Sequence, residues 1–381
     1  MEPLLKINNE TCITCYACVR ACPVKAIRVR SEQEKPEIIP QRCIGCGSCV
    51  AACGPGAIEV RNSSGDLKRL LKEERKVAAL LDPSIAGEFP DITDYRKFVQ
   101  MLRTLGFSHV VEVAFGVDLV ARSYRELFGA SRGKYYIMSN DPVTVSYVEK
   151  FKPGLVANLA PILPPVAATA MVLRESAGEE TVMVHISPLI ASKDEVFRFK
   201  DRHRVDLAIT FVELREIFNE AGIHETDLEY SDFDAPLGYL GSLFPIANGI
   251  IQAAGINEEL LETRVVTVEG EGTLAAINEF EENISSIKSH FNLFYKEFLM
   301  GRGTSSGGRR ILRRSQLIKY VNKRLKSLDL TSWEKWMEKY RRLDLGREFT
   351  PDDQSLPTPS SNQIQKILKE LDKQGGNDVG C

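Results

Sequence analysis

Residues 12–22 read Cys12-Ile13-Thr14-Cys15-Tyr16-Ala17-Cys18-Val19-Arg20-Ala21-Cys22, and residues 43–53 read Cys43-Ile44-Gly45-Cys46-Gly47-Ser48-Cys49-Val50-Ala51-Ala52-Cys53. Both are C-x2-C-x2-C-x3-C runs, and together they hold eight of the nine cysteines of the chain. A cubane iron-sulfur cluster needs four soft thiolates converging from different directions; a short loop supplies three, and the fourth must come from elsewhere. A shift of 31 positions carries Cys12 onto Cys43 and every later cysteine onto its counterpart. It also carries Ala26-Ile27-x-Val29-Arg30 onto Ala57-Ile58-x-Val60-Arg61, so the strand after each run is repeated as well. Two copies of one loop-and-strand unit are predicted to make a single folding unit.

Over residues 1–62 the repeat resembles bacterial ferredoxins that carry two 4Fe-4S clusters. In that arrangement the last cysteine of each run reaches across to the other cluster. The resemblance therefore implies Cys12, Cys15, Cys18 and Cys53 around one cluster and Cys43, Cys46, Cys49 and Cys22 around the other. Pro23 follows the first run as the motif expects, whereas Gly54 and Pro55 follow the second, which alters a turn and removes no ligand. Disulfides and zinc are the competing uses of eight cysteines. The start Met1-Glu2-Pro3 has no charged-then-apolar signal segment, the chain is too long to need stapling, and zinc takes ligand pairs split by longer inserts.

At 381 residues the chain exceeds one average domain, so at least two are expected. A net charge of -3 argues against a general nucleic-acid binder, and no apolar run approaches the roughly 18 residues that span a bilayer. The expectation is a soluble, cytoplasmic protein in a reducing compartment.

From Val77 the pattern changes to apolar strands alternating with helical stretches. Strands are predicted at Val77–Leu81, Val110–Val113, Tyr135–Met138, Thr181–Ile186 and Leu207–Thr210. Helices are predicted at Tyr95–Leu105, from Val117, and near Val143–Lys150, Ala167–Glu175 and Val212–Ala221. This alternation implies a wound sheet covered by helices.

Over about residues 76–300 the chain resembles the C-terminal domain of the large chain of iron-only hydrogenases. The likeness lies in Leu81-Asp82-Pro83-Ser84, Gly106-Phe107, Ala114-Phe115-Gly116, Tyr147-Val148-Glu149-Lys150 with Pro153, and Asn158-Leu159-Ala160-Pro161. It continues in Val205 to Thr210, Glu213-Leu214-Arg215 and Leu243-Phe244-Pro245. The fold class implied is α/β: a ferredoxin-like α+β two-cluster domain (1–62), a hydrogenase-like α/β domain (76–300), then a linker and basic helical tail (301–381).

That family holds its catalytic iron with cysteines in three motifs, and this chain has none of them. A Ser-x-Cys-Pro run is replaced by Ser139-Asn140-Asp141-Pro142, and a Pro-Cys-x-x-Lys run by Pro188-Leu189-Ile190-Ala191-Ser192-Lys193. The third, glycine-rich loop is replaced by Leu293 to Gly301. Asp141, Leu189, Lys296 and Leu299 then stand at the ligand positions. Leucine has no lone pair, a charged lysine accepts nothing, and a lone carboxylate is a hard ligand, so hydrogen chemistry is not expected there. Either the two leucines fill the site with hydrocarbon while Asp141 and Lys296 pair at its edge, or the four residues hold unrelated positions. Ile284, Ile287, Phe291, Phe294 and Phe298 follow helical spacing before Gly301, so an amphipathic helix is predicted in place of the ligand loop.

After the Gly/Ser-rich stretch 301–308 the chain turns basic, with Arg309, Arg310, Arg313, Arg314, Lys319, Lys323, Arg324 and Lys326. Such a run reads as the solvated face of a helix whose other face carries Ile311, Leu317, Ile318, Val321 and Leu325, with Trp333 and Trp336 anchoring the next segment. An irregular proline-containing connector and a short helix at Gln363–Lys373 are expected beyond them. Cys381 reads as the opening of a further cluster module or a remnant of one. The five histidines are scattered, and Asp232 and Asp234 near Glu229 read as a solvated acidic loop. No phosphate-binding or nucleophile-elbow motif occurs. The function expected is electron transfer or redox sensing through two 4Fe-4S clusters, with the large domain as a docking scaffold and a redox protein or signalling output domain as partner. The alternatives are an oxidoreductase with a remodelled pocket and a structural partner subunit.

Overall fold

Each cysteine run folds into the same unit in this computed structural model, which describes residues 2–30, 33–89, 92, 94–246, 248–256, 265–270, 272–294 and 310–352. The first part comprises β1 (Leu5–Ile7), α1 (Ala17–Ala21), β2 (Ile27–Arg30), β3 (Gln33–Ile38), α2 (Ser48–Ala52) and β4 (Ile58–Val60). β1 pairs antiparallel with β4, Leu5 opposite Val60, and β2 pairs with β3, so the two copies interlock. Both cysteine loops use the left-handed backbone at equivalent places: Thr14 and Tyr16 in the first, Gly45 and Gly47 in the second. α1 packs against α2.

The chain continues through α3 (Ser64–Leu70), β5 (Val77–Leu81), α4 (Ile85–Glu88), α5 (Tyr95–Leu105), β6 (His109–Glu112), α6 (Ala114–Ala130), α7 (Pro142–Phe151) and α8 (Pro165–Ala177). Then come β7 (Val182–Ser187), α9 (Ser192–Glu195), β8 (Leu207–Thr210), α10 (Phe211–Ala221), α11 (Gly249–Ala253), β9 (Val265–Glu269), α12 (Gly272–Glu282) and β10 (His290–Phe294). The last described helices are α13 (Arg310–Ser327) and α14 (Leu330–Lys339).

β5 to β8 form a parallel sheet in the order β6-β5-β7-β8. Every residue of β5, β7 and β8 is buried, because helices cover both faces; that is why these strands read as largely apolar runs, with His185 and Ser187 in β7 and Thr210 at the end of β8 as the polar members. Ala78, Leu80 and Met183 face one core, and Val77, Ala79, Leu81 and Val184 face the other. Strand order reverses between β5 and β7, so the segments leaving their carboxyl ends, Asp82-Pro83-Ser84 and Pro188 to Lys193, lie where wound sheets place their sites. α6 crosses α8 closely enough that a Cβ on Gly116 would meet Thr169 Oγ1 at 2.2 Å and the Pro165 carbonyl at 2.3 Å.

Two expectations are corrected. The helix predicted over Ile284 to Phe298 is not formed in its described part, up to Phe294: α12 stops at Glu282, and β10 pairs in parallel with β9, Phe291 opposite Val266 and Leu293 opposite Val268. His290, Phe291, Asn292 and Leu293 are all buried while Ile284 is exposed, so the segment is covered on both faces and a single helical stripe is the wrong description. Tyr135–Met138 lies alongside it, contributing isolated bridges from Ile137 to Leu159 and Phe291. The second correction concerns the basic run. Leu317 and Val321 are buried as predicted, but Ile318 is exposed, and Arg313 and Arg324 are buried against Glu88 and Glu112. Trp333 anchors the tail, donating from Nε1 to Asp118 at 2.9 Å, and Trp336 packs on the sheet's helical layer. Lys296, Leu299, Gln363–Lys373 and Cys381 lie outside the described residues.

Candidate metal centre

None of the eight cysteines is in a disulfide, and the helices that follow the two loops, α1 and α2, pack together; Cys18, Cys22 and Cys49 are buried and Cys15 is exposed. Their mutual electrostatics sorts them. Burial pushes the Cys18 thiol up, and Cys12 and Cys53 push it the same way. Burial pushes Cys43 up to about 11 with Cys46 and Cys22 adding to the rise, and it raises Cys49 further, with Cys43, Cys46 and Cys22 as the neighbours. Cys53 is thus within electrostatic reach of Cys18, and Cys22 of Cys43 and Cys49.

Backbone N–H groups are already aimed at these sulfurs. Ala26 donates to Cys22 Sγ and Ala57 to Cys53 Sγ, both at 3.1 Å and related by the 31-residue shift, and Gly45 donates to Cys43 Sγ at 3.5 Å. Such donors favour sulfur as thiolate, while burial and crowding disfavour it; a cationic iron-sulfide core reconciles the two. Among the described residues no group of three or more His, Cys, Asp or Glu is arranged for a single metal ion. A cubane, whose irons each take one thiolate, asks for a more open set, and the residues present fit it.

The second loop is lodged against the large α/β part. Lys150 of α7 donates from Nζ to the Cys43 carbonyl at 2.7 Å. A Cβ on Gly45 would lie 3.0 Å from Ala191 Cβ. Arg61 donates to the Lys193 carbonyl at 2.8 Å and pairs with Asp194 at 2.7 Å. The Lys193 ammonium, buried, donates to Ser63 Oγ and Glu213 Oε1, each at 2.8 Å, and Ser63 N–H donates to the same carboxylate at 2.6 Å. A cavity of about 50 Å³ remains between the parts, bordered by Cys43, Gly45, Ser146, Lys150, Glu195 and Arg347. None of these partners was legible in the sequence, because Lys150 and Cys43 are 107 positions apart and no local pattern joins them.

Where the family's cysteines would stand, the side chains serve the fold. Asp141 is buried and caps α7, accepting from Val143 N–H at 3.0 Å and from Thr144 Oγ1 at 2.8 Å. Leu189 is buried in the core that includes Met138 and Ala160. Asn140 is buried with neither polar atom of its amide paired. The pairing of Asp141 with Lys296 and the packing of Leu299 fall outside the described residues. Asp234 is not merely solvated: it pairs with Arg103 at 3.0 Å and accepts from Val110 N–H at 2.7 Å.

Comparison with known proteins gives two family matches: a 4Fe-4S dicluster domain over residues 4–54, and the iron only hydrogenase large subunit, C-terminal domain, over residues 75–292. The NADP-reducing hydrogenase subunit HndD of Solidesulfovibrio fructosivorans is 28% identical over 193 residues, which is 44% of this chain and 33% of that protein. The match spans about one third of that relative's length. Among solved structures, the apo FeFe-hydrogenase HydA1 of Chlamydomonas reinhardtii superposes with a TM-score of 0.61 at 18% identity, over 76% of this chain and 99% of that one. HydA(deltaEFG), from a structure describing stepwise H-cluster assembly, gives 0.58 at 18% identity, over 76% and 99%. These likenesses show a shared fold. No helix among the described residues is long and apolar enough to cross a membrane. The iron-sulfur match and the hydrogenase match together support a redox or electron-transfer role. With more than half its length matched, the chain belongs to the iron-only hydrogenase large-subunit family, as a member with no cysteine anywhere in the matched segment 75–292.

Proposed function

We propose that this chain is a two-cluster electron carrier or redox sensor whose hydrogenase-like domain is a docking scaffold without hydrogen chemistry. One observation supports the reading: eight cysteines lie in two C-x2-C-x2-C-x3-C runs at the amino end, and residues 75–292 contain none. In this reading Cys12, Cys15, Cys18 and Cys53 hold one 4Fe-4S cluster and Cys43, Cys46, Cys49 and Cys22 the other; when bound, each supplies one-electron storage. Residues 1–62 form the cluster domain, 76–300 the scaffold, and 301–381 the linker and tail. Exposed Cys15 and the neighbouring Ile13, 67% exposed, give the first set an open apolar edge for a redox partner. The second set is shielded by α7 and the 189–195 segment. That the relative HndD is itself a hydrogenase subunit supports a protein partner for such a surface.

Iron and sulfide analysis of anaerobically purified protein tests this directly, with about eight irons and eight sulfides expected per chain. About four would remove one set, and an additional iron centre would overturn the scaffold reading. Hydrogen uptake with a redox dye is expected to be at background. Cys15→Ser and Cys46→Ser should each abolish one of two reduced-cluster spectroscopic signals, leaving the other.

A further inference from the structure

The two cysteine loops are copies in backbone and opposites in setting. Thr14 and Gly45 occupy equivalent positions with φ of 56° and 71°, as do Tyr16 and Gly47 at 56° and 69°. Left-handed backbone alone therefore does not require glycine in the second loop, since threonine and tyrosine adopt it in the first. What distinguishes Gly45 is its neighbour: Ala191 Cβ and Leu4 Cδ2 would each lie 3.0 Å from an added Cβ. The first loop faces solvent, with Cys15 and Ile13 exposed.

Among the cations that border this closed second loop, Lys150, Arg198 and Arg347, it is Lys150 that hydrogen-bonds the loop's backbone at Cys43. The Lys150 ammonium is half-buried and donates to the Cys43 carbonyl at 2.7 Å. The charged groups around it are Asp352 and Asp194 of one sign and Arg198 of the other. The first loop's nearest equivalent is Lys35, which donates to the Asn9 carbonyl three residues before Cys12 from an exposed position, where solvent screens it.

We infer that Lys150 is a positioning residue that raises the reduction potential of the cluster held by Cys43, Cys46, Cys49 and Cys22, and leaves the other cluster unaffected. The inference rests on the ligand sets proposed above. Reduction adds one negative charge to a cluster, and a nearby cation screened little by water stabilises the reduced form. Burial acts in the opposite direction, so the lysine offsets the cost of enclosing this cluster. Electrons supplied to the exposed loop would then settle at the loop in contact with the scaffold, the one place where the large domain can register them.

The test is a mediated redox titration of the full chain, followed by electron paramagnetic resonance. Lys150→Gln is expected to move one of two one-electron waves to more negative potential, by about tenfold in its equilibrium constant or 59 mV for one electron. Lys150→Arg should hold it in place. In a Cys15→Ser background the surviving wave should move with Lys150→Gln; in a Cys46→Ser background it should not. Asp194→Asn removes an exposed carboxylate beside the same ammonium, so it folds even if the glutamine variant does not, and it should move the same wave the other way. Waves that stay put, waves that move together, or an arginine variant that shifts as far as glutamine would each overturn the lysine's role. A wild-type chain that binds no iron would instead overturn the ligand assignment beneath it, and the inference with it.

Discussion

Arg324→Ala should be among the most damaging single changes to the large domain, although Arg324 lies in a run whose composition looks like a solvated face. Its side chain is 3% exposed, and Nη2 lies 3.4 Å from Glu112 Oε2, itself buried at the end of β6. The Tyr320 hydroxyl also donates to Glu112, and Ser242 Oγ donates to it at 3.3 Å. The guanidinium covers the rings of Tyr95 and Phe233 at 5.1 and 5.0 Å. Removing one partner of a buried pair costs about 3–5 kcal/mol, because the surviving charge stays in a poorly solvating place. The two hydroxyls soften that cost and the lost ring contacts add about 1 kcal/mol, for a total of roughly 4. For a domain of this size that is a fall in Tm on the order of 10 °C. Far-UV circular dichroism of anaerobic protein reads it, with Lys319→Ala, on the exposed face of the same helix, as a control expected within about 0.5 kcal/mol. A double-mutant cycle with Glu112→Gln should return a coupling of about 2–3 kcal/mol. Equal losses in Arg324→Ala and Lys319→Ala, or a coupling near zero, would refute the claim that α13 is held by buried charge.

Three other perturbations probe the same geometry. Burial pushes the Asp82 carboxyl up to about 6, opposed by the Ser84 hydroxyl and N–H and aided by Glu112. Because the unfolded carboxyl titrates near 3.9, its contribution to stability is full below about pH 4 and is lost as pH rises from there through 6; Asp82→Asn should therefore gain on wild type between about pH 4 and 6 and hold that gain above, and a flat difference in denaturant midpoints across pH 4 to 6 would contradict this. Gly116→Ala drives a methyl into Thr169 and the Pro165 carbonyl, so it should cost about 1–3 kcal/mol in urea unfolding, whereas the open Gly129 on the same helix should tolerate alanine. Asn140→Leu removes two unpaired buried polar atoms and should be neutral or stabilising by about 1 kcal/mol in thermal unfolding; a loss above 2 would mean that the amide has a partner in solution.

Legibility followed the locality of the interactions. α5 was readable to the residue because its signals are adjacent to it: Asp94 accepts from Arg96 N–H at one end, and Gly106 takes the left-handed conformation at the other. β5, β7 and β8 were readable because strands buried on both faces need only be apolar, which a short window reveals. The 284–298 segment failed for the complementary reason. Its aromatic and aliphatic spacing suits a helix, and what makes it a strand is β9, with α12 intervening, together with backbone bonds linking Phe291 to Tyr136 and Met138. Arg313 and Arg324 failed similarly, since the carboxylates that bury them lie more than 200 positions upstream. The dicluster domain was legible because the cysteine spacing and its 31-residue repeat are visible in the sequence itself.

The absent thiolates and the buried Lys193 point to the same physical feature. A loop that ligates metal must leave its donor atoms turned toward the ion, and its stability then depends on loading. In this chain the corresponding turns meet their own needs: Asp141 satisfies the first turn of α7, and Leu189 joins the hydrocarbon beneath the sheet. Lys193, from the same stretch as Leu189, is directed away from any ligand toward Glu213 and Ser63, where it pins the chain leaving the cysteine domain. Glu213 in turn closes the capping box of α10 with Thr210, so one carboxylate ties the cysteine domain, the 188–195 segment and the sheet's last helix together. A segment that elsewhere presents a thiolate to iron has here become the wall on which the second cysteine loop rests, with Ala191 against Gly45.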